Sequence, residues 1–227
     1  MNSADSFDPY APVSMGTTIL GCKYNGGVIL AMDSKTSAGN FISDRSAIKG
    51  NQISPSVLNY GPIYVLRCGD AAASQVVTRY VYNYLTYHAM ELGQDGRIDL
   101  KTVATIYKNI CYGNKDNLSC AFILSNGKEL IEIDSSGALI HSDLIASHGS
   151  GSVFCRGFLT FHARPNMSRE QTIELMTRAV ALAVDVDCSS GGNINLYDLS
   201  VDGKVEKVLI DHNSIDQICK GLAAVKI

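Results

Sequence analysis

Hydrophobic positions along the chain fall into two kinds of pattern. Some form short apolar runs rich in β-branched residues, and others form longer stretches in which apolar residues return every three or four positions. The runs Thr17–Cys22 and Gly27–Met32 flank Asn25-Gly26, a dipeptide suited to a tight hairpin turn, and so predict a paired ribbon. Runs near Ser43–Ile48 and Val57–Leu66 continue it as an antiparallel meander. The period then changes. Over Ala71–Leu92 the positions Ala73, Val77, Val81, Tyr84 and His88 recur at helical spacing, as do Val103, Ile106, Tyr107, Ile110 and Cys111 over Leu100–Tyr112. The aromatic stripe Tyr80, Tyr82, Tyr84 and Tyr87 reads as core and interface packing.

A second set of short runs follows at Cys120–Leu124, Leu130–Asp134 and Ala138–His141, separated by Ser125-Asn126-Gly127 and Ser135-Ser136-Gly137. Ser152–Ala163 and Ser168–Val186 are helical in pattern, the second opening on a capping box, Ser168 with Gln171. Ile194–Leu199 and Val205–Ile210, joined through Asp202-Gly203, close the chain's pattern with another hairpin. Each sheet needs its apolar face covered, so the order of strands, helix pair, strands, helix pair, strands predicts an α+β fold. Its form is a four-layer α-β-β-α sandwich of two antiparallel sheets flanked by helix pairs. No internal repeat, charge block or low-complexity linker divides it.

At 227 residues and 46% hydrophobic content the chain can bury one substantial core. A net charge of −3, with Lys and Arg scattered, gives no basic footprint and argues against nucleic acid as a partner. The seven cysteines include no C-x-x-C pair and read as reduced thiols of a cytosolic or nuclear protein. The five histidines show no metal-ligand spacing, so neither a metal nor another cofactor is expected. The leader, residues 1–16, has no signal-peptide core, and no stretch has the length of a membrane helix.

The candidate chemistry begins at Thr17, after Gly16. A threonine hydroxyl is a weak nucleophile unless a base lies beside it, and an N-terminal threonine supplies one in its own α-amino group, which titrates near ~7.7–8.0. Cleavage between Gly16 and Thr17 would create that arrangement. Sixteen residues downstream of Thr17, Asp33 ends an apolar run, and sixteen further lies Lys49. A buried lysine would favour the alkoxide, and a carboxylate would hold that lysine charged. Taken singly, Thr17-Thr18 could be an ordinary strand start, Asp33 a turn residue and Lys49 a surface lysine. Arg67-Cys68-Gly69-Asp70-Ala71-Ala72 joins a strand to a helix, where a backbone N–H suits an oxyanion. His148-Gly149-Ser150-Gly151-Ser152 could cradle phosphate, but no Gly-Lys-Ser/Thr ending accompanies it. Asp187-Cys188-Ser189-Ser190-Gly191-Gly192 ends a helix.

In order and spacing these pieces resemble the proteasome β subunits, members of the N-terminal-nucleophile hydrolases. The resemblance runs from Thr17 to about Leu209. Thr17-Thr18-Ile19, Ala31-Met32-Asp33-Ser34-Lys35-Thr36-Ser37, Arg67 to Ala72, Asn114 to Leu118 and Asp187 to Gly192 look like the motifs of the caspase-like catalytic type. The resemblance implies Thr17 as nucleophile, Asp33 and Lys49 as its activating pair, and Ser150, Asp187 and Ser190 as the network around the amine. It further implies the Gly69 N–H as oxyanion donor, Thr36, Ser37 and Ala71 as substrate contacts, and Arg67 as the floor of a pocket for acidic side chains. Residues 1–16 are then a propeptide removed by autocleavage, and 17–227 the mature domain.

The chain departs from that pattern in a longer Gly50–Gly61 segment, in Lys35 for an arginine, in Val186 before Asp187, and in Cys188 for a glycine. By the same resemblance the chain is a threonine endopeptidase in ATP-dependent, ubiquitin-linked protein degradation in cytoplasm and nucleus. It would sit with other β and α subunits in stacked seven-membered rings, reached indirectly by a regulatory particle and fed unfolded polypeptides. A non-catalytic structural β subunit, or another N-terminal-nucleophile amidase, are the alternatives. The first predicts loss of Thr17, Asp33 or Lys49, and the second lacks the Arg67–Ala72 motif.

Overall fold

A computed structural model describes residues 16–38, 41–54, 61–92 and 98–224. In chain order these form β1 (Ile19–Tyr24), β2 (Gly27–Asp33), β3 (Thr36–Ala38), β4 (Phe41–Asp44), β5 (Gly50–Gln52), β6 (Tyr64–Gly69), α1 (Ala71–Leu92) and α2 (Leu100–Gly113). There follow β7 (Cys120–Ser125), β8 (Leu130–Ile133), β9 (Leu139–His141), β10 (Ile145–His148), α3 (Ser152–His162), α4 (Arg169–Val186), β11 (Ile194–Ser200), β12 (Val205–Ile210) and α5 (His212–Ala224). One antiparallel sheet has the order β10-β1-β2-β11-β12, the other β5-β6-β7-β8-β9, and β3-β4 is a separate ribbon.

The alternation of side chains along β1 and β2 explains the layering. Ile19, Val28, Leu30 and Met32 point into an apolar layer shared with Leu66, Ile123 and Leu130 of the opposite sheet. Leu20, Cys22, Ile29 and Ala31 point the other way, against Cys155 and Leu159 of α3 and Met176, Ala179 and Val180 of α4. A third layer sets Val65, Phe122, Leu124 and Ile131 against Val77, Val81, Leu100, Val103 and Tyr107 of α1 and α2. The result is the α-β-β-α sandwich. Strand β2 is buried along its whole length because it is central in its sheet and covered on both faces, which is why it reads as an unbroken apolar run.

Several boundaries differ from expectation. The run Ser43–Ile48 is a strand only as far as Asp44, whose carboxylate accepts from the Ser46 amide and hydroxyl at 2.8 and 2.9 Å and turns the chain out of the ladder. Of Val57–Leu66, residues 57–60 lie outside the described residues, and β6 runs on to Gly69 through pairing of Arg67, Cys68 and Gly69 with β7. The tyrosines of α1 are not core. Tyr80 and Tyr87 are 60% and 69% exposed, and the buried face is Val77, Val81, Leu85 and Ala89. Strand β10 and helix α5 are additions, α5 packing on the helical layer through Ile215 and Ile218. Residues 1–15 and half of the Gly50–Gly61 segment, 55–60, lie outside the described residues.

Candidate active site

Two strands of one sheet and one of the other deliver the central residues. Thr17 precedes β1 and Asp33 ends β2, and the hairpin register that pairs Ile19 with Met32 carries the Asp33 N–H to the Thr18 carbonyl at 3.1 Å. Lys49 stands just before β5, where its carbonyl accepts from the Arg67 N–H of β6 at 2.9 Å. The three side chains meet at the seam between the sheets, each 5% exposed or less.

The Lys49 ammonium donates to Asp33 Oδ1 at 2.7 Å and to Thr17 Oγ1 at 3.3 Å, while the Thr17 hydroxyl donates to the Gly16 carbonyl at 2.7 Å. Burial pulls the Lys49 pKa below its ordinary value, and the Asp33 carboxylate opposes that pull. Asp33 is held in turn by N–H groups. Thr18 donates to Oδ1 at 2.9 Å, and Gly191 and Lys35 donate to Oδ2 at 3.1 and 3.3 Å. A buried carboxylate satisfied in this way can anchor a buried ammonium at a fixed place.

On the other side of Thr17, its backbone N–H donates to Ser150 Oγ at 3.2 Å, and Ser150 donates to Asp187 Oδ2 at 2.6 Å. Ser190 also donates to Asp187, at 2.8 Å, and lies 2.7 Å from the Thr18 hydroxyl, so it reaches the Thr17 region through Thr18. Burial alone would raise the Asp187 pKa, but hydrogen bonds from Ser150, Ser189 and Ser190 outweigh it and hold the carboxyl below its ordinary value. Gly149 brings Ser150 this close. Its φ is +96°, and a Cβ there would come within 1.9 Å of the Thr17 carbonyl oxygen.

A cavity of about 170 Å³ opens beside Thr17. Thr36, Ser37, Lys49, Arg67, Gly69 and Ala71 line it, so all the substrate-side residues singled out in the sequence converge there. Gly69 needs to be glycine because its φ is +89° and a Cβ would sit 2.0 Å from the Ser119 carbonyl oxygen. Arg67 donates to the Ile48 carbonyl at 3.0 Å and to Ser74 Oγ at 3.4 Å. It makes no ion pair among the described residues. Asp70 does not neutralise it, because Asp70 Oδ1 accepts the Ala73 N–H at 2.9 Å as a cap on α1.

The sequence did not single out Asp44, Ser74 or Gln75. Asp44 lines the same cavity, and its bonds from Ser46 hold its carboxyl below the ordinary value. Ser74 and Gln75 follow from the Asp70 cap. Once α1 begins at Ala71, its first turn returns positions 74 and 75 toward the cavity that Arg67 enters. Among the described residues no group of three or more His, Cys, Asp or Glu side chains is arranged to hold a metal ion.

Comparison with known proteins places this geometry in a family. The proteasome subunit family model matches residues 13–199. The chain is 36% identical over 200 residues to the probable proteasome subunit beta type-1 of Schizosaccharomyces pombe, covering 86% of this chain and 84% of that one. It is 34% identical over 214 residues to proteasome subunit beta type-6 of Dictyostelium discoideum, with 92% and 95% covered. With proteasome subunit beta type-1 of Saccharomyces cerevisiae it shares 31% identity over 211 residues, with 91% and 93% covered. A family match over most of the chain, together with relatives of nearly the same extent, means that the chain belongs to the proteasome subunit family, among its β subunits.

Proposed function

We propose that this β subunit is catalytic: an N-terminal threonine endopeptidase with a caspase-like preference for cleavage after acidic residues, matured by removal of residues 1–16. The observation that carries the reading is the buried Lys49 ammonium, 2.7 Å from Asp33 and 3.3 Å from the Thr17 hydroxyl oxygen, beside a cavity floored by an arginine without a carboxylate partner among the described residues. A non-catalytic subunit has no need to bury an ammonium against a hydroxyl.

In maturation, Thr17 Oγ attacks the Gly16 carbonyl carbon. The C–N bond breaks as the Thr17 nitrogen takes up the proton, leaving an ester that water hydrolyses to a Gly16 carboxylate and a free Thr17 amine and hydroxyl. In turnover that amine accepts the Oγ proton as Oγ attacks the scissile carbonyl. The Gly69 N–H receives the oxyanion, and the amine returns the proton to the leaving nitrogen. Water then cleaves the acyl ester. Lys49 stabilises negative charge on Oγ throughout, and Ser150 with Asp187 orients the amine. The partners on this reading are the other β and α subunits of stacked seven-membered rings. The substrates are unfolded polypeptides delivered in ubiquitin-linked degradation, in cytoplasm and nucleus.

Two measurements test it. The assembled subunit should begin at Thr17, and an N-terminus upstream of it would turn the reading to a non-catalytic subunit. Fluorogenic peptides differing only at the residue before the scissile bond should be tried on assembled particles whose other sites are silenced. A charge-assisted hydrogen bond from Arg67 is worth ~1.5–3 kcal/mol, so Glu should exceed Gln by roughly 10–200-fold. Equal rates, or a preference for Lys, would reject the caspase-like assignment and leave the threonine mechanism standing.

A further inference from the structure

Strand β8 carries a glutamate in an otherwise apolar sequence, Leu130-Ile131-Glu132-Ile133, and Glu132 is 1% exposed. Ile131 and Ile133 face the α1–α2 layer, so Glu132 points with Leu130 toward the opposite sheet. A carboxylate in that position is costly unless every oxygen is engaged. Ser142 donates to Oε1 at 2.6 Å, and the Ser147 N–H and Arg156 Nη2 donate to Oε2 at 3.1 and 2.7 Å. His148 Nε2 lies 3.3 Å from Oε2.

Ser147, His148 and Arg156 belong to one segment, β10 and the first turns of α3, and between them lies Gly149-Ser150-Gly151. Arg156 also ties that segment to itself, donating from Nε to Ser147 Oγ at 2.9 Å and from Nη2 to the Ser147 carbonyl at 3.3 Å. Strand β10 is the edge of its sheet. Glu132 therefore gives the Ser147 N–H an acceptor where a neighbouring strand is missing, and binds the edge to the second sheet.

We propose that Glu132 is a positioning residue for the reaction centre, gripping through Ser147 and Arg156 both flanks of the loop that presents Ser150 to the Thr17 nitrogen. It rests on the threonine-peptidase reading of Thr17. Glu132 touches neither substrate nor nucleophile; it acts through Ser150, which accepts from Thr17 N at 3.2 Å and would meet the free amine after cleavage. Small misplacements of such a group cost rate because the amine must face both the hydroxyl and the leaving nitrogen.

The test is a double-mutant cycle in assembled particles, counted per incorporated subunit. Glu132→Gln keeps shape and an acceptor oxygen but removes the charge that holds Arg156. It should lower kcat for an acidic fluorogenic peptide about tenfold or more with KM little changed, and should cost less than about twofold when Ser150 is already alanine. An unchanged kcat, or the full penalty repeated in the Ser150→Ala background, would overturn the proposal and leave Glu132 a tie of the fold alone. If Glu132→Gln does not assemble, Arg156→Lys carries the same cycle, since it keeps the charge and loses the forked contact to Ser147. A parent particle without Thr17-dependent turnover refutes the peptidase reading and the positioning role together. A parent that turns over, with both variants unaffected, refutes the positioning role alone.

Discussion

At Lys49 two opposing demands meet. Burial favours a neutral amine, Asp33 at 2.7 Å favours the ammonium, and the proposed chemistry needs the charge beside Thr17 Oγ1. In assembled particles, Lys49→Ala should therefore cost the ~10²–10⁴-fold typical of losing a positioned charged group, in leader removal and, where the leader has been removed, in peptide turnover. Lys49→Arg should not restore it, because a planar guanidinium cannot replace a compact ammonium between Asp33 and Thr17. Near-parental rates in either variant would mean that Lys49 only balances Asp33. Thr17, Asp33 and Lys49 were legible in the sequence because each stands at a junction, a strand opening or the end of an apolar run, and the family motif ties the junctions together. Asp44 and Glu132 were not. Asp44 enters the cavity only because Ser46 turns the chain there, and Glu132 breaks an apolar run whose partners lie on elements distant in sequence.

Among the elements, the hairpin β1–β2 and helices α1–α4 were readable from their periods, and at α4 capping agreed with the period. Ser168 shows it, accepting from the Gln171 N–H at 3.2 Å while its own N–H reaches Gln171 Oε1 at 3.0 Å. The expected face of α1 held at Ala73, Val77 and Val81 but not at Tyr84, because tyrosines at helical spacing mimic a buried stripe, whereas Leu85 continues the face that meets the sheet. Strand β10 was missed because four residues that rely on a glutamate from another sheet carry little pattern of their own. That strand has a pH signature. Burial lowers the His148 pKa; Glu132 opposes the shift, Arg156 adds to it, and Asp134 opposes it weakly. The folded protein thus resists a proton that the unfolded chain accepts near its ordinary ~6.5, so His148 contributes stability above that pH and loses it as pH falls toward the folded value. Thermal midpoints of the purified protein between about pH 7 and 5 should fall less steeply in His148→Gln than in the parent. An equal slope would show that His148 is not the group responsible.

For the molecule as a whole, the proposed reaction centre depends on how the two sheets are seated, because Thr17 and Asp33 come from one and Lys49 and Arg67 from the other. Gly50, immediately after Lys49, reports that seating. A Cβ on it would lie 2.5 Å from Leu66 Cδ2, 2.8 Å from Tyr197 Cε2 and 2.9 Å from Met32 Cε, and Tyr197 donates its hydroxyl to the Gly50 carbonyl at 3.1 Å. Those neighbours are buried side chains of both sheets with little room to yield. One methyl there forces the Leu66, Tyr197 and Met32 side chains, or β5 itself, to shift. Overpacking of this kind costs about 1–3 kcal/mol, and here the adjoining backbone carries Lys49. Gly50→Ala should therefore lower the stability of the assembled subunit and also cut kcat by about tenfold or more, even though the new methyl touches no proposed catalytic group. The two effects separate on temperature. A purely structural defect would leave kcat near parental well below the unfolding transition, whereas displacement of Lys49 from Thr17 Oγ1 persists at every temperature where the particle is folded. Parental kcat in the folded variant would show that Asp33 alone fixes the Lys49 ammonium, independent of the packing between the sheets.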